Sequence, residues 1–461
     1  MTQAIHTSSY REDLGNGLVA RWSTADDIEK IALLYGNVFR GKQDQPLNKR
    51  MGNWARDLAS GRHPSADAQA FPIVEDTRAD AIVAALVVLQ QRWSYEGIEF
   101  TIGRPEAVAT LDEYRNRGLV RKIFEMFHAR SEQHGDMAQA ITGIAYFYRQ
   151  FGYEYAVDLE GGARVPFSAI PKLKDDEQEL YTLRKASLAD LPLLRELYER
   201  ECANPLGQAF AITTPFDETW WRWVLDGQDP ESGQGFTALI INDLEGHDLG
   251  YVMGSRLGWG ETYGLFGFSV REGAPLTKLL PSVLRGLKAH AIATPPWRDE
   301  GKVVDRLYFV GPAEHLIQRA LSKDMIARTN PTYAWYVRVP NLPAFIRHIA
   351  PVLEKRLAAS PAAGYSGEIL IDFYRGGLKL GLENGRLTLI EDWKRIAWGP
   401  EAKAGFPPLV FLQLLFGRRS LEELNYAFCD VWADDEQAMV LNGLFPKRPG
   451  WAMPQLSLIH I

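Results

Sequence analysis

Cysteine is scarce in this chain, which has only Cys202 and Cys429 among its 461 residues. The two cysteines lie far apart and fit no metal-ligand spacing, and the nine histidines are scattered without an H-x-x-x-H pattern. We therefore predict no metal site. So little cysteine is also typical of a reducing compartment, and we expect the protein to be cytoplasmic.

Long hydrophobic runs are missing as well. The longest, within residues 407–416, is too short to span a bilayer, and the polar segment 1–17 lacks the apolar core of a signal peptide. An excess of positive charge is also missing, because the net charge is −7. The sequence therefore predicts no membrane partner and no general binding to nucleic acid.

The chain does have enough apolar residues for ordinary folded cores, with 46% hydrophobic and 24% charged residues. At one domain per roughly 150 residues, its length suggests about three domains. Residues 81–92 and 99–110 read as two strands around a Glu96-Gly97 hairpin turn, and helical patterns flank them. Alternating strands and helices predict an α/β fold for this part.

The most informative stretch comes directly after the second of these strands, where a basic loop leads into a helical pattern. The first turn of a helix offers unpaired N–H groups and the positive end of its dipole, which attract phosphate. Gly118 has no Cβ that would hold a phosphate away. We predict that the pyrophosphate of coenzyme A binds here, and the alternative is a plain helix with a basic first turn. The loop and first turn read Arg115-Asn116-Arg117-Gly118-Leu119-Val120-Arg121.

A second motif, Y-x-x-x-G-Y at residues 148–153, follows about thirty residues later. A strand, an R-x-x-G-x-small loop, a helix, another strand and this motif stand in the order expected of an acetyl-CoA-dependent N-acetyltransferase. Tyr148 would then be a catalytic residue. The alternative is a core tyrosine on an aromatic helix beside Tyr146, Phe147 and Phe151.

The chain also contains an internal repeat. Residues 18–28 and 181–191 both read as a short strand ending in arginine, followed by a Ser/Thr-x-x-Asp capping box and an amphipathic helix. Arg184 follows Arg21 by 163 residues, about one domain length, which favours duplication. The second copy has Pro275 where the first has its basic loop, so we interpret it as a degenerate copy.

The third part of the chain has a different pattern. Strands are predicted at 368–374, 377–382 and 386–390, with an Asn384-Gly385 hairpin turn, and helices at 409–416 and 421–428. This pattern indicates an α+β module. The predicted division is a first unit at 1–165, a linker at 166–180, a second unit at 181–340, a third unit at 341–455 and a tail at 456–461.

Residues 108–120 and 148–153 resemble the GNAT superfamily of N-acetyltransferases, and the whole chain resembles its Eis-type (enhanced intracellular survival) branch. The resemblance implies an active GNAT domain, a second GNAT-like domain without the coenzyme motif, and a C-terminal domain like sterol carrier proteins. It also implies acetyl-CoA as co-substrate, a primary amine as acceptor, and assembly into a homo-oligomer, a trimer or hexamer.

The resemblance further implies roles for individual residues. Tyr148 would be the general acid, and the C-terminal carboxylate, here that of Ile461, would be the general base. The string 456–461 looks like a translated sequencing adapter, however, so the sequence leaves the base unassigned. The backbone of the strand end would hold the acetyl carbonyl and pantetheine arm, the basic loop the pyrophosphate, and the next strand would line the channel. These coenzyme-binding positions are Val108, Ala109 and Thr110, then Arg115 to Arg121, then Gly143 and Ile144.

The chemistry fits those roles. When an amine attacks a thioester, a strand N–H can stabilise the developing oxyanion, and a tyrosine, with a pKa of about 10, can donate to the leaving thiolate. The acceptor stays open among an aminoglycoside, a polyamine-like amine and a lysine side chain. Two other functions remain as alternatives, namely a lipid or sterol carrier that uses the third unit and a catalytically inactive coenzyme A sensor.

Overall fold

The computed structural model describes residues 4–42, 44–298, 301–395 and 401–453. Their strands form three mixed or antiparallel sheets of ten, seven and five strands, with helices packed on the sheets. This architecture confirms the predicted α/β and α+β fold class. No helix among the described residues is both long enough and apolar enough to cross a membrane.

The first part of the chain builds most of the ten-stranded sheet. Its elements are β1 (Arg11–Gly15), β2 (Leu18–Trp22), α1 (Ile28–Val38), α2 (Lys49–Ala59), β3 (Pro72–Asp76), β4 (Ala81–Tyr95), β5 (Ile98–Thr110), α3 (Leu119–His134), β6 (Ala138–Ile141) and β7 (Glu154–Leu159). Strands β4 and β5 form a long hairpin, and Glu96 and Gly97 make its turn with φ of 44° and 94°. Helix α3 covers one face of the sheet, and α1 and α2 cover the other.

The second part builds the seven-stranded sheet. Its elements are β8 (Gly162–Pro166), β9 (Tyr181–Lys185), α4 (Leu191–Ala203), β10 (Ile212–Thr213), α5 (Glu218–Arg222), β11 (Phe236–Asp243), β12 (Asp248–Ser255), β13 (Thr262–Val270), α6 (Leu276–Ala293), β14 (Arg306–Val310), α7 (Leu316–Ala320), β15 (Arg328–Asn330) and β16 (Tyr333–Arg338).

The first two sheets exchange strands. The order in the first sheet is β1-β2-β3-β4-β5-β6-β16-β7, so β16 lies between β6 and β7 although it follows the second part in the chain. In return, β8 pairs with β14 and β15 in the second sheet. The division into units at 165 and 340 stays a prediction. Sheet membership departs from it at β8 and β16, and also at β10, which pairs with β4 of the first sheet.

The third part forms the five-stranded sheet with its covering helices, and its last short strand joins the first sheet beside β10. Its elements are α8 (Leu342–Ala358), β17 (Gly367–Asp372), β18 (Gly377–Glu383), β19 (Arg386–Trp393), β20 (Ala404–Gly405), α9 (Phe411–Leu415), α10 (Leu421–Ala427), β21 (Trp432–Ala433), α11 (Asp435–Leu444) and β22 (Gly450–Trp451). Asn384 and Gly385 turn the β18–β19 hairpin with φ of 49° and 79°. Ser420 and Glu423 form the expected capping box of α10.

The third part docks on the tip of the β4–β5 hairpin. The Tyr95 hydroxyl donates to the Leu415 carbonyl at 2.6 Å, and the Arg356 guanidinium donates to Glu96 at 2.7 Å. Apolar side chains of α8, α9 and β17 continue into the same core as Trp93 and Trp335 of the first sheet. The hairpin tip is therefore fixed, and the other end of β5 is where the predicted coenzyme residues lie.

Candidate active site

The basic loop lies at the N-terminus of α3, as the sequence predicted. Gly118 is the N-cap residue with φ of 78°, a left-handed conformation that favours glycine, and a Cβ built there would meet no atom within 4 Å. The space beside the first turn of α3 is therefore open at Gly118. The arginines around them are exposed: Arg115 pairs with Asp112 at 2.7 Å, the Arg117 guanidinium lies 4.9 Å from the Tyr114 ring, and Arg121 donates to Gln150 at 3.2 Å. These groups form an electropositive helix end that fits a pyrophosphate.

A gap opens between β5 and β6 just before this loop. The two strands pair only at Ile102–Ala138 and Gly103–Gln139, and beyond these pairs their ladder ends. A bulge in β5 adds to the separation, since Ala107 has φ of 50° and the register with β4 shifts there. Backbone groups freed by the bulge and the gap can bond to a ligand. The predicted residues Val108, Ala109 and Thr110 lie on one side of the gap, and Gly143 and Ile144 lie on the other.

Tyr148 lies on a 3-10 turn, residues 147–151, that follows β6. Its ring is buried against Phe124, Phe147 and Tyr336, as the core interpretation expects, with 4% of the residue exposed. Its phenol also borders Gly143, since a Cβ built there would lie 3.9 Å from the hydroxyl oxygen. None of the described residues forms a hydrogen bond to that hydroxyl. Burial raises the pKa of Tyr148, so the hydroxyl stays protonated and can donate into the gap.

A buried ion pair on β5 was missed by the sequence reasoning. Arg104 and Glu106 are 0% and 3% exposed, and the guanidinium donates to the carboxylate at 2.5 Å. Arg104 also donates to Gln91 at 3.0 Å and lies 4.6 Å from the Trp335 ring centre. Burial raises the pKa of Glu106 to about 7, and Arg104 opposes the shift. Two opposite charges in the mostly apolar stretch 102–109 of β5 are the signal that could have identified this pair.

Glu106 lies close enough to the candidate acid to influence it. Its charge contributes to the raised pKa of Tyr148 on one side of the sheet and of Tyr35 on the other. A carboxyl group with a pKa of about 7 can accept a proton near neutral pH. A protonated phenol after β6 and a carboxyl group on β5 with a pKa of about 7 therefore lie near enough to interact.

The last described residues, 451–453, pack against the first sheet. Trp451 and Met453 are fully buried in the core that α1 and α2 share with β4 and β5, and the Ala452 carbonyl accepts from Trp335 at 3.0 Å. Ile461, whose carboxylate the resemblance implied as base, lies outside the described residues. Its role stays a prediction.

Known proteins have a similar fold. Residues 20–156 match the family model described as an acetyltransferase (GNAT) domain. A GCN5-related N-acetyltransferase from Anabaena variabilis superposes with a TM-score of 0.62 at 13% identity, covering 94% of this chain and 99% of the other. A probable N-acyltransferase from Enterococcus faecalis gives 0.64 at 16%, covering 95% and 99%. Eis1 from Mycobacterium abscessus gives 0.51 at 14%, covering 94% and 98%. No curated protein matches in sequence.

Proposed function

We propose that this chain, whose residues 20–156 form a GNAT acetyltransferase domain within an Eis-like fold, is an acetyl-CoA-dependent N-acetyltransferase that acts on a primary amine. The match of residues 20–156 to the GNAT family model supports an acyl-CoA-dependent transferase activity. The observation that carries the finer proposal is the position of the Tyr148 phenol, which borders Gly143 at the gap between β5 and β6. A proton donor at this point can serve a sulfur atom carried in that gap.

The coenzyme would occupy the groups described above. Its pyrophosphate would bind the N–H groups of the first turn of α3, between Arg115 and Arg121. Its pantetheine arm would run through the gap, and the acetyl oxygen would accept from a backbone N–H of the β5 bulge near Val108. The thioester sulfur would then lie beside Gly143 and Tyr148.

Transfer in a ternary complex follows from that placement. The amine nitrogen attacks the thioester carbon, a C–N bond forms, and the carbonyl oxygen becomes an oxyanion held by the strand N–H. Collapse of this intermediate breaks the C–S bond, and the thiolate takes the proton of the Tyr148 hydroxyl. Glu106 accepts the proton that the new amide nitrogen loses, directly or through water. The products are the acetylated amine and free coenzyme A.

The acceptor remains open among an aminoglycoside, a polyamine-like amine and a lysine side chain. Assembly into a trimer or hexamer also stays a prediction. The lipid-carrier alternative would use the third part, whose helices α8, α9 and α11 contribute apolar side chains to a core shared with the first sheet. The coenzyme A sensor would need a site that binds without turnover, whereas the Tyr148 hydroxyl has no hydrogen-bond partner among the described residues and can donate its proton to a ligand.

A thiol-release assay with acetyl-CoA against a panel of amines tests the proposal. We expect thiol release that depends on at least one primary amine, together with a mass increase of one acetyl group on that amine. Tight binding of coenzyme A by calorimetry without release with any amine would favour the sensor. Release at the same rate without an amine would mean thioester hydrolysis and would contradict N-acetyl transfer.

A further inference from the structure

Three tyrosines that the sequence reasoning did not identify form one hydrogen-bonded cluster beside the candidate site. We call Tyr155, Tyr333 and Tyr336 the tyrosine triplet. The hydroxyl oxygens of Tyr155 and Tyr336 lie 2.6 Å apart, and those of Tyr155 and Tyr333 lie 2.9 Å apart. The rings of Tyr155 and Tyr336 stack with centres 4.0 Å apart. The triplet is thus one packed unit formed by the neighbouring strands β7 and β16.

The triplet holds the backbone segment that leads from β6 to Tyr148. Tyr333 donates to the Gly143 carbonyl at 3.4 Å, and Tyr336 is within 3.2 Å of the Ile144 carbonyl. The Tyr146 N–H donates to the Tyr155 hydroxyl at 3.2 Å. All three hydroxyls therefore bond to the four residues 143–146.

Outside the triplet, the Phe147 N–H also donates to the Ile144 carbonyl at 3.2 Å. Burial of apolar surface contributes little to holding the segment, since the residues Ile144 and Tyr146 are 64% and 69% exposed. Tyr146 also has φ of 58°, a left-handed conformation that a bulky residue adopts only when its surroundings impose it. The bond from the Tyr146 N–H to the triplet is one such constraint.

The position of this segment matters because it determines where the phenol of Tyr148 lies. Tyr148 follows Tyr146 by two residues, its hydroxyl borders Gly143, and its ring contacts Tyr336 with centres 5.5 Å apart. A shift of the segment would move one wall of the gap and the Tyr148 phenol at once. Effects of this kind are large in catalysis, since misplacement by about 1 Å can cost a hundredfold in rate.

We propose that the tyrosine triplet consists of positioning residues, which fix residues 143–146 so that the Tyr148 hydroxyl faces the thioester sulfur. This inference rests on the proposed function of Tyr148 as general acid. Tyr333 and Tyr336 both belong to β16, the strand that returns to the first sheet after the second part of the chain. The active site of the first unit is therefore incomplete without a strand that only the second unit can deliver.

Removal of single hydroxyls tests the proposal on the full-length protein. Tyr155→Phe and Tyr336→Phe keep the stacked rings but remove the central hydrogen bonds. We expect kcat at saturating acetyl-CoA to fall between tenfold and a hundredfold. Hydrogen exchange of peptides that cover residues 142–148 should become faster in both variants, since the Tyr146 amide loses its acceptor or that acceptor loses its own partner.

Tyr308→Phe is the matched control. Tyr308 is also a buried strand tyrosine, its hydroxyl donates to the Gly161 carbonyl at 2.9 Å, and it lies in the second sheet away from the gap. It should lose comparable thermal stability with unchanged kcat and unchanged exchange at residues 142–148. If Tyr155→Phe and Tyr336→Phe behave like Tyr308→Phe, the triplet is only structural and the proposal is wrong.

A double-mutant cycle separates this proposal from the role of Tyr148. If the triplet acts through Tyr148, adding Tyr336→Phe to Tyr148→Phe should lower kcat no further. Full additivity would contradict positioning through Tyr148. A Tyr148→Phe variant with normal kcat would instead refute the general acid itself. The two failures therefore give different results.

Discussion

The first and second units begin with the same arrangement and then differ. In both, an arginine at a strand end binds the aspartate of a capping box, with shortest distances of 2.7 Å for Arg21–Asp27 and 2.6 Å for Arg184–Asp190. The N-cap residues Thr24 and Ser187 have nearly identical backbone angles, φ −124° and ψ 175° against φ −127° and ψ 175°. The capping boxes that the sequence predicted are thus both present, 163 residues apart.

The two units differ at the positions that form the candidate active site of the first unit. Gly118 caps α3 in an open left-handed conformation, whereas Pro275 caps α6 with φ of −77° and offers no N–H. Strand β5 carries Arg104 and Glu106, whereas β13 has no charged residue. After β14 the second unit places His315, which is buried and bonded to Glu201 at 2.7 Å. The two units share the residues that build this scaffold, and we interpret the second as a degenerate copy that has buried packing where the first has its candidate site.

The largest expected difference concerns the residues that follow β6 and β14. Tyr148→Phe keeps the ring but removes its proton, so kcat should fall by roughly 10²–10⁴, the usual contribution of a general acid. In the second unit, His315→Gln should lower the thermal midpoint, because Glu201 loses a buried partner, but should leave kcat per folded molecule unchanged. Steady-state kinetics and thermal melts on both variants measure this. Normal kcat in Tyr148→Phe would support the core-tyrosine interpretation.

The second difference concerns the two loops before the helices. Gly118 and Gly273 both have φ of 78° and open space around a built Cβ, so valine strains both backbones equally. Only at Gly118 would the side chain occupy the place of the pyrophosphate. Gly118→Val should raise the KM for acetyl-CoA more than tenfold, and Gly273→Val should not. Equal effects would show that strain alone is responsible, and two equivalent coenzyme sites by calorimetry would contradict the interpretation of the second unit as degenerate.

Structural features that depend on neighbouring residues could be predicted from the sequence. Contacts between residues far apart in the chain could not. The hairpin turn at Glu96-Gly97, both capping boxes and the start of α3 depend on neighbouring residues, and the structure confirms them. The exchange of β8 and β16 depends on contacts between distant segments. The tyrosine triplet was missed for the same reason, since Tyr155 and Tyr333 are 178 residues apart. A buried pair such as Arg104 and Glu106 shows its environment only once the sheet is assembled.

The third difference is in pH dependence, since titration of the Glu106 carboxylate on β5 should make the activity of the first unit depend on pH. Burial raises the pKa of Glu106 to about 7, and a base must be unprotonated to accept a proton. With an amine acceptor held in its reactive form, kcat/KM should rise with pH and level off above about 7, falling about tenfold per unit below it. Glu106→Gln should remove this limb and lower the plateau. A wild-type limb retained in Glu106→Gln would assign the titration to another group.

The smallest expected difference concerns the feature that both units share. Asp27 and Asp190 both have lowered pKa values. Hydrogen bonds from Arg184 lower the pKa of Asp190 to about 2. Burial raises the pKa of Asp27, but Arg21 and the hydrogen bonds from Thr24 together lower it by more. A lowered pKa adds stability above the unfolded value of 3.8, and this stability is lost as the pH falls through the folded value. Replacing either aspartate by asparagine should therefore lower stability at pH 7 and matter progressively less toward pH 2.

The two costs should nevertheless differ, because the first copy is more enclosed. The Arg21 side chain is 16% exposed and that of Arg184 is 41% exposed, so water and salt screen the second pair more. We expect Asp27→Asn to cost about 1.5–3 kcal/mol and Asp190→Asn about 1 kcal/mol or less, the latter shrinking in 1 M salt. Denaturant unfolding followed at pH 7, with and without salt, measures both. Equal and salt-insensitive costs would mean that the asparagine side chain still caps the helix, and that the arginine pairing contributes little in either unit.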